Sequence, residues 1–70
     1  MRDPRIAFGK RCRELRLKKG WSQTELAERA ELSRNYIGDV ERAEKSVTIV
    51  AIYKIANALK LPVIELFKGS

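Results

Sequence analysis

Apolar residues recur at helical spacing through most of the chain, and the alternation typical of strands is scarce. In the first segment Phe8, Cys12 and Leu15 stand at positions i, i+4 and i+7, which predicts one apolar stripe on a helix over about 5–18. Gly20 follows the last periodic turn, where a helix end favours a left-handed residue. The stripe makes Cys12 a buried core residue rather than a reactive thiol.

Two short helices follow, each opened by a serine. Ser22 and Glu25 have the spacing of a capping box, which predicts a helix over about 22–30 that buries Leu26. Ser33 offers a second N-cap, which predicts a helix over about 33–42. About three residues join the two helices, and this spacing is typical of a helix-turn-helix.

The C-terminal third has the pattern of two further helices, over about 48–59 and 62–68. Thr48 is the expected N-cap of the first, and Pro62 suits the first turn of the second. The first is expected to bury five apolar residues on one side, namely Ile49, Ile52, Ile55, Ala56 and Leu59. The prediction is an all-α fold of five helices in a single domain over residues 1–70.

The helix over about 33–42 has two chemically distinct sides. Ile37 and Val40 form its buried pair, so Asn35 and Asp39 face outward with Arg34 on the flank. Arginine pairs with guanine and asparagine with adenine in the major groove of DNA. Gly38, also outward, is open to close approach by a ligand, and Asp39 is expected to pair with the arginine three residues on. An ordinary polar surface is the alternative interpretation.

The charge distribution favours a polyanionic partner. The 70 residues carry a net charge of +6, and all of it lies in residues 1–20, where eight basic residues face two acidic ones. A basic end on a neutral body suggests nucleic acid or an anionic membrane, although a solvated helix face would have the same composition.

Several functional classes are disfavoured by what the sequence lacks. There is no histidine, no cysteine pair and no glycine-rich phosphate loop, so we expect neither an enzyme nor a metal or cofactor site. No apolar run is long enough for a membrane span, and the single cysteine is typical of a reducing cytoplasm. The chain is too short for a second, effector-sensing domain, so no small-molecule effector is expected.

From Phe8 to Phe67 the sequence resembles the phage repressor and Cro proteins, the XRE-type helix-turn-helix family. The resemblance rests on Ser22-Gln23-Thr24-Glu25-Leu26-Ala27, on Ser33 to Ile37 and on Ile55 to Leu59. Arg34-Asn35-Tyr36-Ile37-Gly38 followed by Val40-Glu41-Arg42 is most similar to restriction–modification controller proteins, which are small dimeric regulators.

The resemblance implies a role for each matching residue. Arg34 and Asn35 would read bases, and Gln23, Tyr36, Arg42 and Lys45 would contact the DNA backbone or flanking positions. Arg16 and Glu41 would form a buried ion pair that ties the first helix to the third. Three residues depart from the family's usual glycine or asparagine and leave the local turn geometry open: Glu31, Ala43 and Lys60.

A second apolar surface is predicted near the C-terminus. Val50 and Tyr53 lie opposite the core stripe of their helix, and Ile64 and Phe67 are surplus to the core in the next segment. Two groups of apolar residues outside the core favour a two-fold interface in a homodimer, although scattered surface hydrophobic residues are common. The partners expected are therefore an operator in double-stranded DNA and a second copy of the chain.

Two other functions stay open at this point. An antitoxin would repress its own operon while binding a toxin, and a protein-interaction adaptor would carry its basic end incidentally.

Overall fold

The computed structural model describes residues 3–68 as an all-helical bundle. Its α-helices are α1 (Pro4–Lys18), α2 (Gln23–Ala30), α3 (Arg34–Glu41) and α4 (Ile49–Leu59), followed by a 3-10 segment, Val63–Phe67. The ends of the predicted 1–70 domain, including Arg2 of the basic segment, lie outside the described residues.

The prediction of a fifth α-helix is wrong, because residues 63–67 form a single short 3-10 segment. Pro62 precedes this segment in an extended conformation, with ψ of 149°, rather than opening a helical turn. Leu66 is the only fully buried side chain of the segment, and Val63 and Phe67 add partial contacts with the bundle. Five residues are too few for a stable α-helix, and 3-10 geometry is common in connectors of this length.

Each α-helix begins at a side chain that accepts a hydrogen bond from the backbone. Asp3 caps α1 through the amide of Arg5, and Ser22, Ser33 and Thr48 cap the next three helices. The capping box at α2 is formed in one direction only: Ser22 Oγ accepts from Glu25 N (3.0 Å), while the Glu25 carboxylate pairs with Arg29 (2.6 Å).

All four α-helices end in the same way, with a left-handed residue followed by an amide bonded to the carbonyl five residues earlier. These bonds are Trp21 N to Arg16 O, Leu32 N to Ala27 O, Glu44 N to Asp39 O and Leu61 N to Ala56 O. The left-handed residues are Gly20, Glu31, Ala43 and Lys60, with φ between 58° and 76°. The three non-glycine turns therefore keep the Schellman geometry and carry the strain of a Cβ there.

The core is contributed by every element. Its fully buried large side chains are Leu26, Ile37, Ile55, Leu59, Leu66 and Cys12. Helices α1 and α3 approach each other closely, since a Cβ added to Gly9 would lie 2.3 Å from the carbonyl oxygen of Val40. Gly9 therefore allows α1 to pack against the backbone at the end of α3.

The buried side of α4 is rotated from the predicted one. Ile49 is 73% exposed and Ile52 is only half-buried, whereas Ala51 is fully buried with Ile55 and Leu59. Ile49 lies at the edge of the stripe and in the first turn of α4, so it does not reach the core. Its exposure enlarges the apolar surface formed by Val50 and Tyr53.

Candidate nucleic-acid interface

The short helices α2 and α3 are joined by residues 31–33 and pack against each other. Glu31 takes the left-handed conformation that reverses the chain, and Ser33 Oγ accepts from Tyr36 N (3.0 Å) to begin α3. Ile37 and Val40 bury the inner side of α3 against α1 and α2. The opposite side of α3 is left open to the surroundings.

Arg34 and Asn35 lie at the N-terminal end of this open side. Both are exposed, and neither side chain makes a hydrogen bond or ion pair within residues 3–68. Guanidinium and carboxamide groups in this position have their full hydrogen-bonding capacity available for a ligand. The geometry suits contact with the edges of bases in a groove wide enough to admit a helix.

A buried ion pair lies beneath the open side. Arg16 Nε donates to Glu41 Oε2 (2.7 Å) and Nη2 to Oε1 (3.0 Å), and the two side chains are 8% and 3% exposed. Arg16 Nη1 also donates to the carbonyl of Trp21 (2.8 Å), which fixes the α1–α2 connection. Hydrogen bonding to Glu41 raises the pKa of Arg16 above its ordinary value.

Gln23 is the first residue of α2 and is linked to this pair. Its Nε2 donates to Glu41 Oε1 (3.1 Å), so the carboxamide is oriented by the same carboxylate that holds Arg16. The bond uses one of the two amide hydrogens and leaves the other for a further acceptor. The predicted phosphate contact is compatible with this orientation and stays a prediction.

Tyr36 and Lys45 are brought together where α3 approaches α4. The Tyr36 hydroxyl accepts from Thr48 N (3.2 Å), and Lys45 Nζ lies 5.6 Å from the centre of the Tyr36 ring. The phenol therefore ties α3 to the start of α4 and also carries a cation on its face. The DNA backbone contacts predicted for both residues stay predictions.

Arg42, predicted to contact DNA, is held by two carboxylates of its own chain. Its Nη2 donates to Asp39 Oδ1 (2.9 Å) and its Nε to Glu44 Oε1 (3.0 Å). These hydrogen bonds raise the pKa of Arg42 above its ordinary value, and the bond to Glu44 has the largest effect. Gly38 is buried beneath the guanidinium, since a Cβ there would lie 3.0 Å from Arg42 Nη1. The expectation that Gly38 is open to a ligand is therefore wrong in this structure.

The basic charge near the N-terminus is partly compensated within the fold. Arg5 pairs with Asp3 (2.6 Å), and Arg11 lies 3.5 Å from the Glu65 carboxylate and donates to the Glu65 carbonyl (2.9 Å). Together with the buried Arg16, these arginines have structural roles. The charge count of residues 1–20 therefore overstates the cations available to a polyanion.

Trp21 is a residue whose surroundings the sequence patterns missed. The Arg29 guanidinium lies 4.4 Å from its ring centre and Lys19 Nζ lies 5.8 Å away, so the half-buried indole is flanked by two cations. The signal was present in Trp21 beside Ser22, because the residue before an N-cap often packs onto its own helix.

The remaining chemistry is sparse. Burial, with the nearby Glu41 charge, raises the pKa of Cys12 to about 12, which keeps this thiol protonated. No helix within residues 3–68 has the length and apolar character needed to cross a bilayer. No cluster of metal-ligating side chains occurs in the same range.

The predicted apolar surface is exposed on α4 and the 3-10 segment, which pack against each other. Val50, Tyr53, Ile64 and Phe67 are 65%, 56%, 64% and 56% exposed. Phe67 also packs against Phe8, with ring centres 5.3 Å apart, so part of its surface serves its own fold. Tyr53 has no such aromatic partner among the described residues.

Several known proteins are similar to this chain in sequence. The sequence profile described as Helix-turn-helix matches residues 13–66. Control protein C.BamHI of Bacillus amyloliquefaciens is 43% identical over 56 residues, which cover 79% of this chain and 69% of that protein. The transcriptional regulator SutR of Escherichia coli is 40% identical over 50 residues, or 71% of this chain, although the match spans only 28% of SutR.

The same similarity holds in three dimensions. The crystal structure of the restriction–modification controller protein C.AhdI from Aeromonas hydrophila matches with a TM-score of 0.88 and 48% sequence identity, covering 90% of this chain and 96% of that one. The described helices, including α2 and α3 with their short connection, therefore have a close counterpart among solved structures.

Proposed function

This chain belongs to the helix-turn-helix family of transcription regulators and is homologous to restriction–modification controller proteins, and on that basis we propose that it binds near-palindromic operators as a homodimer and regulates its own expression. The observation that carries the proposal is the pair Arg34 and Asn35, exposed at the start of α3 without partners within residues 3–68.

In the proposed complex α3 lies in the major groove. Arg34 donates to guanine O6 and N7, and Asn35 pairs with adenine N6 and N7, since these side chains match those base edges. Ile37 and Val40 hold the helix on the bundle, so the reading residues move as one rigid unit. This arrangement places sequence recognition in two side chains per subunit.

Other residues position the protein without reading sequence. Gln23, at the start of α2, contacts a phosphate with its remaining amide hydrogen, where the helix dipole also favours an anion. Tyr36, Arg42 and Lys45 contact the backbone or flanking positions. Such contacts set register and salt dependence, because each neutralised phosphate releases counterions.

The homodimer is proposed to form through the apolar surface of Val50, Tyr53, Ile64 and Phe67. Burying one such side chain stabilises an interface by roughly 1.5–3 kcal/mol, and two-fold symmetry counts each residue twice. Two copies of α3 would then read successive major grooves, about 34–36 Å apart, on a two-fold symmetric site. Protein concentration would control occupancy in the cytoplasm through the monomer–dimer equilibrium.

The base-reading assignment is tested by comparing Arg34→Ala with Lys45→Ala on DNA from upstream of the coding sequence. Arg34→Ala should cost about 1–3 kcal/mol on the specific site and relax preference at one position per half-site. Lys45→Ala should weaken all sequences similarly and lower the salt slope by about one phosphate per subunit. Equal losses for Arg34→Ala on specific and random DNA would reduce that residue to a phosphate contact.

The dimer is tested with Tyr53→Asp, and Leu17→Asp is the matched control. Leu17 is 51% exposed on α1, so the two variants introduce the same charge at similar exposure on different surfaces. Tyr53→Asp should give a folded monomer by sedimentation and circular dichroism, whereas Leu17→Asp should stay dimeric. A parent that sediments as a monomer at micromolar concentration contradicts the proposal, and weak binding without sequence preference would favour an adaptor.

A further inference from the structure

Two carboxylates, Asp39 on α3 and Glu44 in the loop after it, contact residues proposed to bind DNA. Asp39 Oδ1 accepts from Arg42 Nη2 (2.9 Å), and Asp39 Oδ2 lies 3.5 Å from Lys45 Nζ. Glu44 Oε1 accepts from Arg42 Nε (3.0 Å). Two cations and two anions therefore form one cluster, which has no net charge at the end of α3 nearest the proposed phosphates.

The shape of the backbone supports this cluster. The Arg42 guanidinium lies over Gly38, where any side chain would press on Nη1. Asp39 is half-buried, with 24% of its side chain exposed, whereas Arg42 and Glu44 are 56% and 59% exposed. Asp39, which contacts both cations, is the more buried carboxylate, and Arg42 and Glu44 are more accessible to solvent or a ligand.

We propose that Asp39 and Glu44 act as an internal substitute for phosphate, holding Arg42 and Lys45 in the free protein and thereby weakening its binding to DNA of the wrong sequence. The proposal rests on the proposed function, in which these cations contact the DNA backbone. It assigns the two acidic residues a role in specificity although neither reads a base.

Loosely held and docked complexes with DNA differ in how closely Arg42 and Lys45 approach the phosphates. Nonspecific binding depends almost wholly on phosphate neutralisation, so a loosely held protein is attracted according to the charge of each cluster, which here is zero. In a docked complex Arg34 and Asn35 fix α3 against the bases. Arg42 and Lys45 then meet phosphates at contact distance, while Glu44 turns to solvent. The carboxylates therefore weaken nonspecific binding more than specific binding.

The test removes both negative charges without changing side-chain size, in Asp39→Asn/Glu44→Gln. At about 0.15 M salt, where screening extends over about 8 Å, affinity for random-sequence DNA should rise roughly tenfold, and affinity for the operator by less than about threefold. The variant should also elute from immobilised heparin at higher salt. Circular dichroism checks that the substitutions, one half-buried and one exposed, leave the fold unchanged.

Two comparisons make the result specific to the cluster. Glu28→Gln removes one negative charge from an exposed position of α2 and should change affinity for random DNA by less than about twofold. In an Arg42→Ala/Lys45→Ala background, Asp39→Asn/Glu44→Gln should no longer produce its gain, because the cations that it frees are absent.

Each failure has its own meaning. If the double variant behaves like Glu28→Gln on random DNA and heparin, or raises operator and random affinity equally, the inference is overturned while the proposed function stands. An altered base preference for Asp39→Asn without a gain on random DNA would also overturn it, because Asp39 would then read a base. If the parent shows no sequence preference, the proposed function fails, and heparin elution still tests the cluster.

Discussion

Removing one partner of the Arg16–Glu41 pair should destabilise the fold severely. In Arg16→Met, the Glu41 carboxylate stays 3% exposed in the parent geometry and keeps only the hydrogen bond from Gln23. Breaking a buried pair in this way typically costs about 3–5 kcal/mol. A chain of 70 residues has a free energy of unfolding of roughly 4–10 kcal/mol, so the variant should approach its stability limit.

Replacing both partners should cost less than the two single substitutions added together. Arg16→Met/Glu41→Leu leaves no buried charge, and apolar side chains fill similar volume. The Trp21 carbonyl loses its donor and Gln23 loses its acceptor, which costs about 1–3 kcal/mol for each group left buried and unsatisfied. The double variant should therefore be less stable than the parent and clearly more stable than the sum of its single substitutions predicts.

Urea unfolding at one fixed protein concentration measures the free energies of unfolding of the parent, the two single variants and the double variant. Circular dichroism and the fluorescence of the single tryptophan detect the transition. Lys68→Met removes an exposed partner of Glu65 and should change stability little. The reasoning is refuted if the single substitutions are additive, or if Arg16→Met costs no more than Lys68→Met.

Three further results follow from the same structure. Gly9→Ala should lower the melting temperature, because its Cβ would meet the Val40 carbonyl at 2.3 Å. Gly38→Ala should leave the fold as stable or more so, because its Cβ would meet only the flexible end of the Arg42 side chain. Equal effects of the two substitutions in thermal denaturation would contradict this contrast. Lys60→Gly should stabilise the protein by up to about 1 kcal/mol in urea unfolding, because it removes a Cβ from a left-handed residue, and a destabilised variant would contradict the strain. Above pH 9 the free energy of unfolding should fall as the pH rises towards 12, because Cys12 keeps its proton in the folded state while the unfolded chain loses it. Cys12→Ala should have a flatter dependence on pH over that range, and an unchanged slope would contradict this prediction.

Local patterns were sufficient for the four α-helices and for the inner side of α3. Serine and threonine caps mark the starts of α2, α3 and α4, and the spacing of Ile37 and Val40 identifies the buried side. These features depend on residues close in sequence, which is why they are readable without a structure. Helical periodicity alone puts Glu41 on the inner side of α3, and the family resemblance explains that position by supplying Arg16 as its partner.

Features that depend on contacts between elements were not predictable. The 3-10 segment, with Leu66 as its only fully buried side chain, replaces a fifth helix, and Ile49 is exposed because no element of residues 3–68 covers the start of α4. Arg42 lies over Gly38 because Glu44, beyond the end of α3, completes its hydrogen bonds. Sequence spacing indicated the Asp39–Arg42 pair but not the fold of the loop that brings Glu44 to it.

Selection of binding sites from random-sequence double-stranded DNA tests the central proposal most directly. The account predicts an enriched two-fold symmetric motif whose half-site centres lie about 10–10.5 base pairs apart or a multiple of that spacing. Arg34→Ala should lose preference at one position in each half-site, and Tyr53→Asp should enrich single half-sites weakly or not at all. No enriched motif, or an asymmetric motif bound equally well by the parent and by Arg34→Ala, would contradict recognition by paired copies of α3.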